Sequence, residues 1–125
     1  MISLTIRGDG LVHLHLCLPH QDADEDEYLD ALDRIGAIET PFVMVVDISG
    51  HRHLSRDGEI RQSAWAKRTR AHISGTCRAL ALVREKPNPR SQQSFARLWS
   101  IPVHVTNDSE DAFAFALAHL TAGKA

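Results

Sequence analysis

Hydrophobic and polar positions change rhythm several times along the chain, and each rhythm predicts an element. Ile2-Ser3-Leu4-Thr5-Ile6 alternates with period two, and Val12, Leu14 and Leu16 do so again beyond Gly8-Asp9-Gly10. An Asp-Gly step between alternating runs marks a β-hairpin, because its turn needs a positive φ. Residues 18–23 read as a loop. Acids from Asp24 to Glu27 suit the positive end of a helix dipole, and Tyr28, Leu32 and Ile35 then form one apolar face. Gly36 stands where a left-handed cap would end that helix. After Pro41, Phe42-Val43-Met44-Val45-Val46 is a continuous valine-rich run, the pattern of a strand covered on both faces.

A second helix is predicted from about Asp57 to Ile73, with Gly75 beyond its end. Ile60, Ala64 and Ala71 supply its apolar side, and Trp65 and Ile73 lie elsewhere. Ala79 to Val83 reads as another buried strand. Pro87 and Pro89 break the chain, and Ser91 can cap a short helix carrying Phe95, Leu98 and Trp99. Ile101 to Val105 is a last strand. Asp108 or Ser109 then caps a helix whose Phe113, Ala116, Leu117 and Leu120 face the core. The order β-β-α-β-α-β-α-β-α predicts an α/β fold, a mixed sheet of four to five strands in which an N-terminal hairpin leads into βαβ units. Nothing in it suggests a linker or an internal repeat, so residues 1–125 are read as one domain.

The 125 residues are 43% hydrophobic and 24% charged, an ordinary globular balance. No apolar run approaches membrane-spanning length and no charged start precedes an apolar segment, which predicts a cytoplasmic chain without membrane insertion. Cys17 and Cys77 have no CxxC spacing and are expected to be free. The net charge of −2 hides a polarised distribution. Residues 21–40 are acidic apart from Arg34, whereas residues 51–90 are rich in arginine and lysine. Two such patches could pair across subunits, receive an anionic partner, or simply be solvated helix faces.

Candidate chemistry gathers where the 42–46 run stops. Asp47 ends a central strand, at the edge where open α/β sheets place ligands, and Ser49, His51 and His53 follow in the loop. Asp47 could serve as a base or metal ligand, or hydrogen-bond the turn at Ser49-Gly50. Ser55 and Asp57 carry capping chemistry for the second helix. A phosphate on Ser55 would sit at that helix's positive end facing Arg52 and Arg56, so its local effect is expected to be ordering. His13 and His15 share a strand face, read as an exposed or interface face. With His51 and His53 they could bind zinc only if hairpin and loop converged, and no carboxylate or cysteine motif completes a ligand set, so no metal or other cofactor is expected. Arg61, Trp65 and Arg68 lie about one helical turn apart, either as an exposed anchor with flanking charge or with Trp65 in the core. No nucleophile elbow, glycine-rich phosphate loop or nucleic-acid reading motif is present, which argues against an enzyme and against nucleic-acid binding.

The order of elements, the segment Val43-Met44-Val45-Val46-Asp47-Ile48-Ser49 with its following helix, the stretch from Ser94 to Val103, and Ser109-Glu110-Asp111-Ala112-Phe113 together resemble the SpoIIAA-like, or STAS, family of anti-sigma-factor antagonists. The resemblance covers nearly the whole chain. It implies helices mainly on one face of the sheet and a regulatory binding module whose partner is another protein. In the antagonist branch a serine at the start of the second helix is phosphorylated by a partner kinase; the corresponding place here reads His53-Leu54-Ser55-Arg56-Asp57-Gly58, with Ser55 as the acceptor but without the preceding aspartate. The chain is also similar to relatives without the serine, which resemble Sec14-type lipid-binding domains and imply a small apolar ligand held between the second helix and the sheet. The expectation is therefore a non-enzymatic module binding through residues 47–68, with an apolar-ligand carrier and, behind it, a metal-dependent hydrolase using Asp47, His51 and His53 as alternatives. Homodimerisation is left open, because a hairpin edge strand needs covering and the charge patches are complementary.

Overall fold

Strands and helices alternate as the patterning predicts in the computed structural model, which describes residues 2–16, 23–48, 55–84, 99 and 101–122. The elements are β1 (Ile2–Ile6), β2 (Leu11–Leu16), α1 (Asp24–Gly36), β3 (Phe42–Asp47), α2 (Arg56–Thr76), β4 (Cys77–Val83), β5 (Val103–Thr106) and α3 (Ser109–Ala122). The five strands form one sheet in the order β1-β2-β3-β4-β5, antiparallel between β1 and β2 and parallel thereafter. The hairpin turns at Gly10, whose φ of 101° is the positive-φ conformation the Asp-Gly step called for.

Each strand after β2 is added to the same side of its predecessor. Crossovers of one hand then place their helices on one face, and α1 and α2 do share a face. Phe42 and Met44 of β3 point into a core there with Leu29, Leu32 and Ile35 of α1, Trp65 and Ile73 of α2, and Trp99. Val43 and Val45 point the other way, into a second core closed by Ala112, Ala116 and Leu120 of α3. α3 follows the last strand of the sheet and covers this opposite face. Burial on both sides explains why β3 and β4 read as unbroken apolar runs.

Several local expectations are corrected. Gly36 does not adopt a left-handed cap; Gly10 alone among the described glycines has positive φ. What Gly36 provides is room, since a Cβ there would lie 2.9 Å from Nε1 of Trp65 and 3.0 Å from Cγ2 of Thr69. Gly75 lies inside α2, which runs directly into β4. The Ile60, Ala64 and Ala71 side of α2 faces outward, with Ile60 59% exposed. Leu117 of α3 is likewise on the exposed side, and Ala112 takes the core position. Asp108 caps α3, its Oδ1 accepting from the Glu110 amide at 3.0 Å. The short helix expected after Ser91 falls outside the described residues except for Trp99, which is helical and buried. Among the described residues no helix is long and apolar enough to cross a membrane.

Candidate functional site

The start of α2 is the point at which the predicted site takes shape. Ser55 is its N-cap, in extended conformation, and its Oγ accepts from the Gly58 amide at 3.1 Å. In a capping box the residue at the third helical position would be Glu or Gln, reaching back to the amide of the cap. That residue here is Gly58, and the missing carboxylate comes from another helix. Glu25, in the first turn of α1, accepts from the Ser55 amide at 2.5 Å through Oε1 and from the Ser55 hydroxyl at 2.8 Å through Oε2. Gly58 leaves the space for it: a Cβ at position 58 would stand 2.6 Å from the Glu25 carboxyl carbon and closer still to Oε1. The negative carboxylate thus rests at the positive end of the α2 dipole, a favourable placement.

From this latch the two helices stay joined along a seam. Tyr28 donates from its hydroxyl to Gln62 at 2.5 Å, and burial pushes that phenol up to about 12. Asp26 pairs with Arg61 at 3.5 Å and Asp33 with Arg68 at 3.2 Å, while His72 Nε2 lies 2.6 Å from the Ile38 carbonyl. On α2 the seam therefore uses Ser55, Gly58, Gln62, Trp65, Thr69 and His72, a helical period written in mixed residue types. The acidic and basic patches meet within one chain. Part of their complementarity is thereby engaged by the α1–α2 contact.

Trp65 is 5% exposed, packed edge-on to Trp99 with ring centroids 5.9 Å apart, so it belongs to the core and is not an exposed anchor. Its size explains this: the indole fills the gap that Gly36 leaves between α1 and α2. Thr69 turns its hydroxyl back to the Trp65 carbonyl at 2.7 Å. Trp65, Thr69 and Ile73 together occupy the inner side of α2. The groove associated with α2, about 570 Å³, lies on its other side, lined by Arg56, Glu59, Ile60, Ser63, Ala64 and Lys67.

Asp47 is at the same sheet edge but on the opposite face. It keeps the parity of Val43 and Val45, is buried, and its Oδ2 lies 3.4 Å from Nε2 of His15. His13 stacks on His15 at 5.6 Å and meets the edge of Phe113 of α3 at 5.0 Å. Burial first, then the neighbouring His15, lowers the His13 pKa, with Asp47 opposing the shift. The His13/His15 face is therefore partly covered by α3 and is not an open strand face. The strand register put His15 beside Asp47, a pairing that the residue types alone did not suggest. Ser49, His51 and His53 lie outside the described residues, so the proposed zinc set and the hydrolase trio are represented only by His13, His15 and Asp47. Among the described residues no group of three or more His, Cys, Asp or Glu is arranged to hold a metal.

The predicted residues thus divide into two places. Ser55, Arg61, Trp65 and Arg68 come together along the α1–α2 seam, and Asp47 stands apart with His15 behind the sheet. Glu25, Tyr28, Gly36, Gly58 and Gln62 complete the seam, and the sequence marked none of them as site residues. Gly58 and Gln62 share the helical spacing of Trp65 and Thr69, which hydropathy does not report.

No family model matches the chain, and none of the curated proteins does. Among solved structures it is similar to an uncharacterized protein of the DUF3478 family with a SpoIIAA-like fold from Shewanella loihica PV-4. The TM-score is 0.64 over 93% of this chain and 92% of that chain, at 14% sequence identity. Likeness at that identity concerns architecture alone, and with the five-stranded mixed sheet it shows that the chain has a SpoIIAA-like fold.

Proposed function

We propose that the chain is a single-domain, non-enzymatic regulatory module of the STAS type that binds a protein partner through the outward face of α2. One observation carries this reading. Ile60 is 59% exposed on a helix whose opposite face is fully engaged with α1 and the sheet, and it stands in a groove flanked by Arg56 and Lys67. A large aliphatic side chain with basic neighbours suits a partner segment that brings an apolar anchor and flanking carboxylates. A carrier of apolar ligands has less support, because Trp65, Thr69 and Ile73 fill the side of α2 where such a ligand would lie.

Ser55 enters the proposal as an exposed hydroxyl at the same end of α2. A phosphoryl group on its Oγ would bring two negative charges against the Glu25 carboxylate that now receives this hydroxyl at 2.8 Å. Modification is therefore expected to unseat Glu25 and loosen the start of α2, not to order it. The sequence expectation of ordering did not include Glu25.

The test is comparative. Proteins retained by the wild-type chain and lost by Ile60→Asp are identified, purified and titrated calorimetrically against both forms. Binding at least about tenfold weaker for Ile60→Asp, with an unchanged circular dichroism spectrum, supports the proposal. Equal affinity of the two forms, or nothing retained above the Ile60→Asp control, rejects it.

A further inference from the structure

β1 is the outer strand of the sheet, and its sequence and hydrogen-bond phase together specify what can cover it. The β1–β2 register pairs Ile6 with Val12, Thr5 with His13, Leu4 with Leu14, Ser3 with His15 and Ile2 with Leu16. The Arg7 amide donates to the Leu11 carbonyl at 2.8 Å, so the next pair beyond Ile6 and Val12 is a hydrogen-bonded one. In an antiparallel ladder such pairs alternate with non-hydrogen-bonded pairs. Thr5 and Ser3 therefore turn their amide and carbonyl groups toward β2, and Ile2, Leu4 and Ile6 turn theirs outward, where no strand meets them among the described residues.

The outward backbone groups thus belong to the apolar residues. Ile2 and Leu4 lean on the core beneath α1, and Ile6 remains 42% exposed. No Lys, Glu, Asp or Pro interrupts Ile2–Ile6, so the devices that usually protect an edge strand are missing from the strand itself. The nearest charges, Arg7 and Asp9, are joined to each other at 2.6 Å in the turn.

We propose that β1 is a homodimer interface: two copies pair antiparallel about a two-fold axis at Leu4, extending one sheet through both. The pattern is self-complementary about that residue, as a two-fold interface requires. Leu4 faces Leu4 of the second copy, and Ile2 faces Ile6 of the second copy, in hydrogen-bonded pairs made by the outward groups. Ser3 faces Thr5 of the second copy on the opposite side of the sheet. A shift of one residue would set outward groups against residues whose groups are already used, and would break both the ladder and the apolar row. This surface is separate from the α2 face, so the dimer stands or falls independently of the partner proposed above.

Five residues a side make a small contact, which belongs with weak, reversible associations. Sedimentation equilibrium is expected to show a species of twice the chain mass, half-populated at roughly 10–100 μM. Ile6→Pro removes one outward amide without touching the β1–β2 ladder, and Ile6→Lys places a charge on the exposed edge; both are expected to be monomeric with unchanged circular dichroism. The register has its own readout. The double variant Ser3→Cys/Thr5→Cys is expected to give a disulfide-linked dimer under mild oxidation, because those residues face one another across the axis, whereas Ser3→Cys alone is not. A wild-type chain that stays monomeric at about 1 mM overturns the proposal. So does a dimer that survives both Ile6 variants, or one that cross-links through Ser3→Cys alone.

Discussion

Gly58→Ala is the substitution whose outcome depends most directly on the split capping arrangement. In an ordinary first helical turn, alanine is favoured over glycine by about 0.5–1 kcal/mol, because glycine loses more backbone freedom on folding. Here the new methyl would sit 2.6 Å from the carboxyl carbon of Glu25 and press on both of its oxygens. Those atoms end a flexible side chain, so the glutamate would swing away and the backbone would hold. Its two hydrogen bonds to Ser55 would go with it. Bonds to a carboxylate on a partly exposed surface contribute about 1 kcal/mol each, giving a loss of about 2 kcal/mol. The net expectation is destabilisation by about 1 kcal/mol, opposite in sign to the propensity effect.

The sign reversal can be isolated with a double-mutant cycle. Glu25→Ala alone should cost about 2 kcal/mol, and adding Gly58→Ala to it should then stabilise by about 0.5–1 kcal/mol, since nothing remains to be displaced. Urea unfolding of the four proteins, with the slope of the transition checked for constancy, measures every corner. A coupling between the two sites of about 2 kcal/mol is expected. If Gly58→Ala stabilised the wild-type protein as much as it stabilised the Glu25→Ala variant, the Glu25 carboxylate would not be seated on Gly58, and the latch would have to be abandoned.

Gly36→Ala should destabilise by about 1–3 kcal/mol, because its Cβ would press on Trp65 and Thr69 inside the seam; the unfolding midpoint and tryptophan fluorescence report it, and an unchanged midpoint would count against the close approach. His13, its pKa lowered from 6.5 by burial and then by His15, is bound to fewer protons in the native than in the unfolded state just below that value. Its contribution to stability is therefore complete above 6.5 and falls away as the pH drops toward the native pKa; imidazole proton NMR should give a midpoint under 6.5 that moves only partway back in His15→Ala. Cys77, pushed up to about 12 by burial, should resist thiol reagents at pH 8 in a Cys17→Ser background until the chain unfolds, and rapid labelling of the native protein would contradict its burial.

The fold was legible in the sequence because its signals are local or periodic. The Asp-Gly turn, the unbroken apolar runs of β3 and β4, and the acids opening α1 each constrain a short segment, and their order leaves few topologies. The errors concentrate on α2. Its apolar side of Ile60, Ala64 and Ala71 did not show which way the helix faces, and the inner face is built from Gly58, Gln62, Trp65, Thr69 and Ile73. Hydropathy cannot find a seam whose contacts are a glycine gap, an amide, a hydroxyl and an indole. Glu25 was invisible for a different reason. A capping box is recognised by spacing within one helix, and here the carboxylate is supplied from thirty residues earlier.

The same arrangement decides which surfaces remain available for recognition. The acidic and basic segments are joined inside the chain by Asp26–Arg61 and Asp33–Arg68. Ion pairs this exposed contribute little to stability individually, but they align α2 on α1 and fix which side of the helix looks outward. With the Glu25 latch holding one end and the Trp65–Gly36 contact the middle, α2 cannot roll to bury Ile60 without breaking both. Its exposure therefore follows from interactions on the opposite face of the helix, not from a shortage of apolar surface to cover it. A chain that weakens the latch, by Glu25→Ala or by a phosphoryl group on Ser55, should consequently change how Ile60 is presented before it changes the fold.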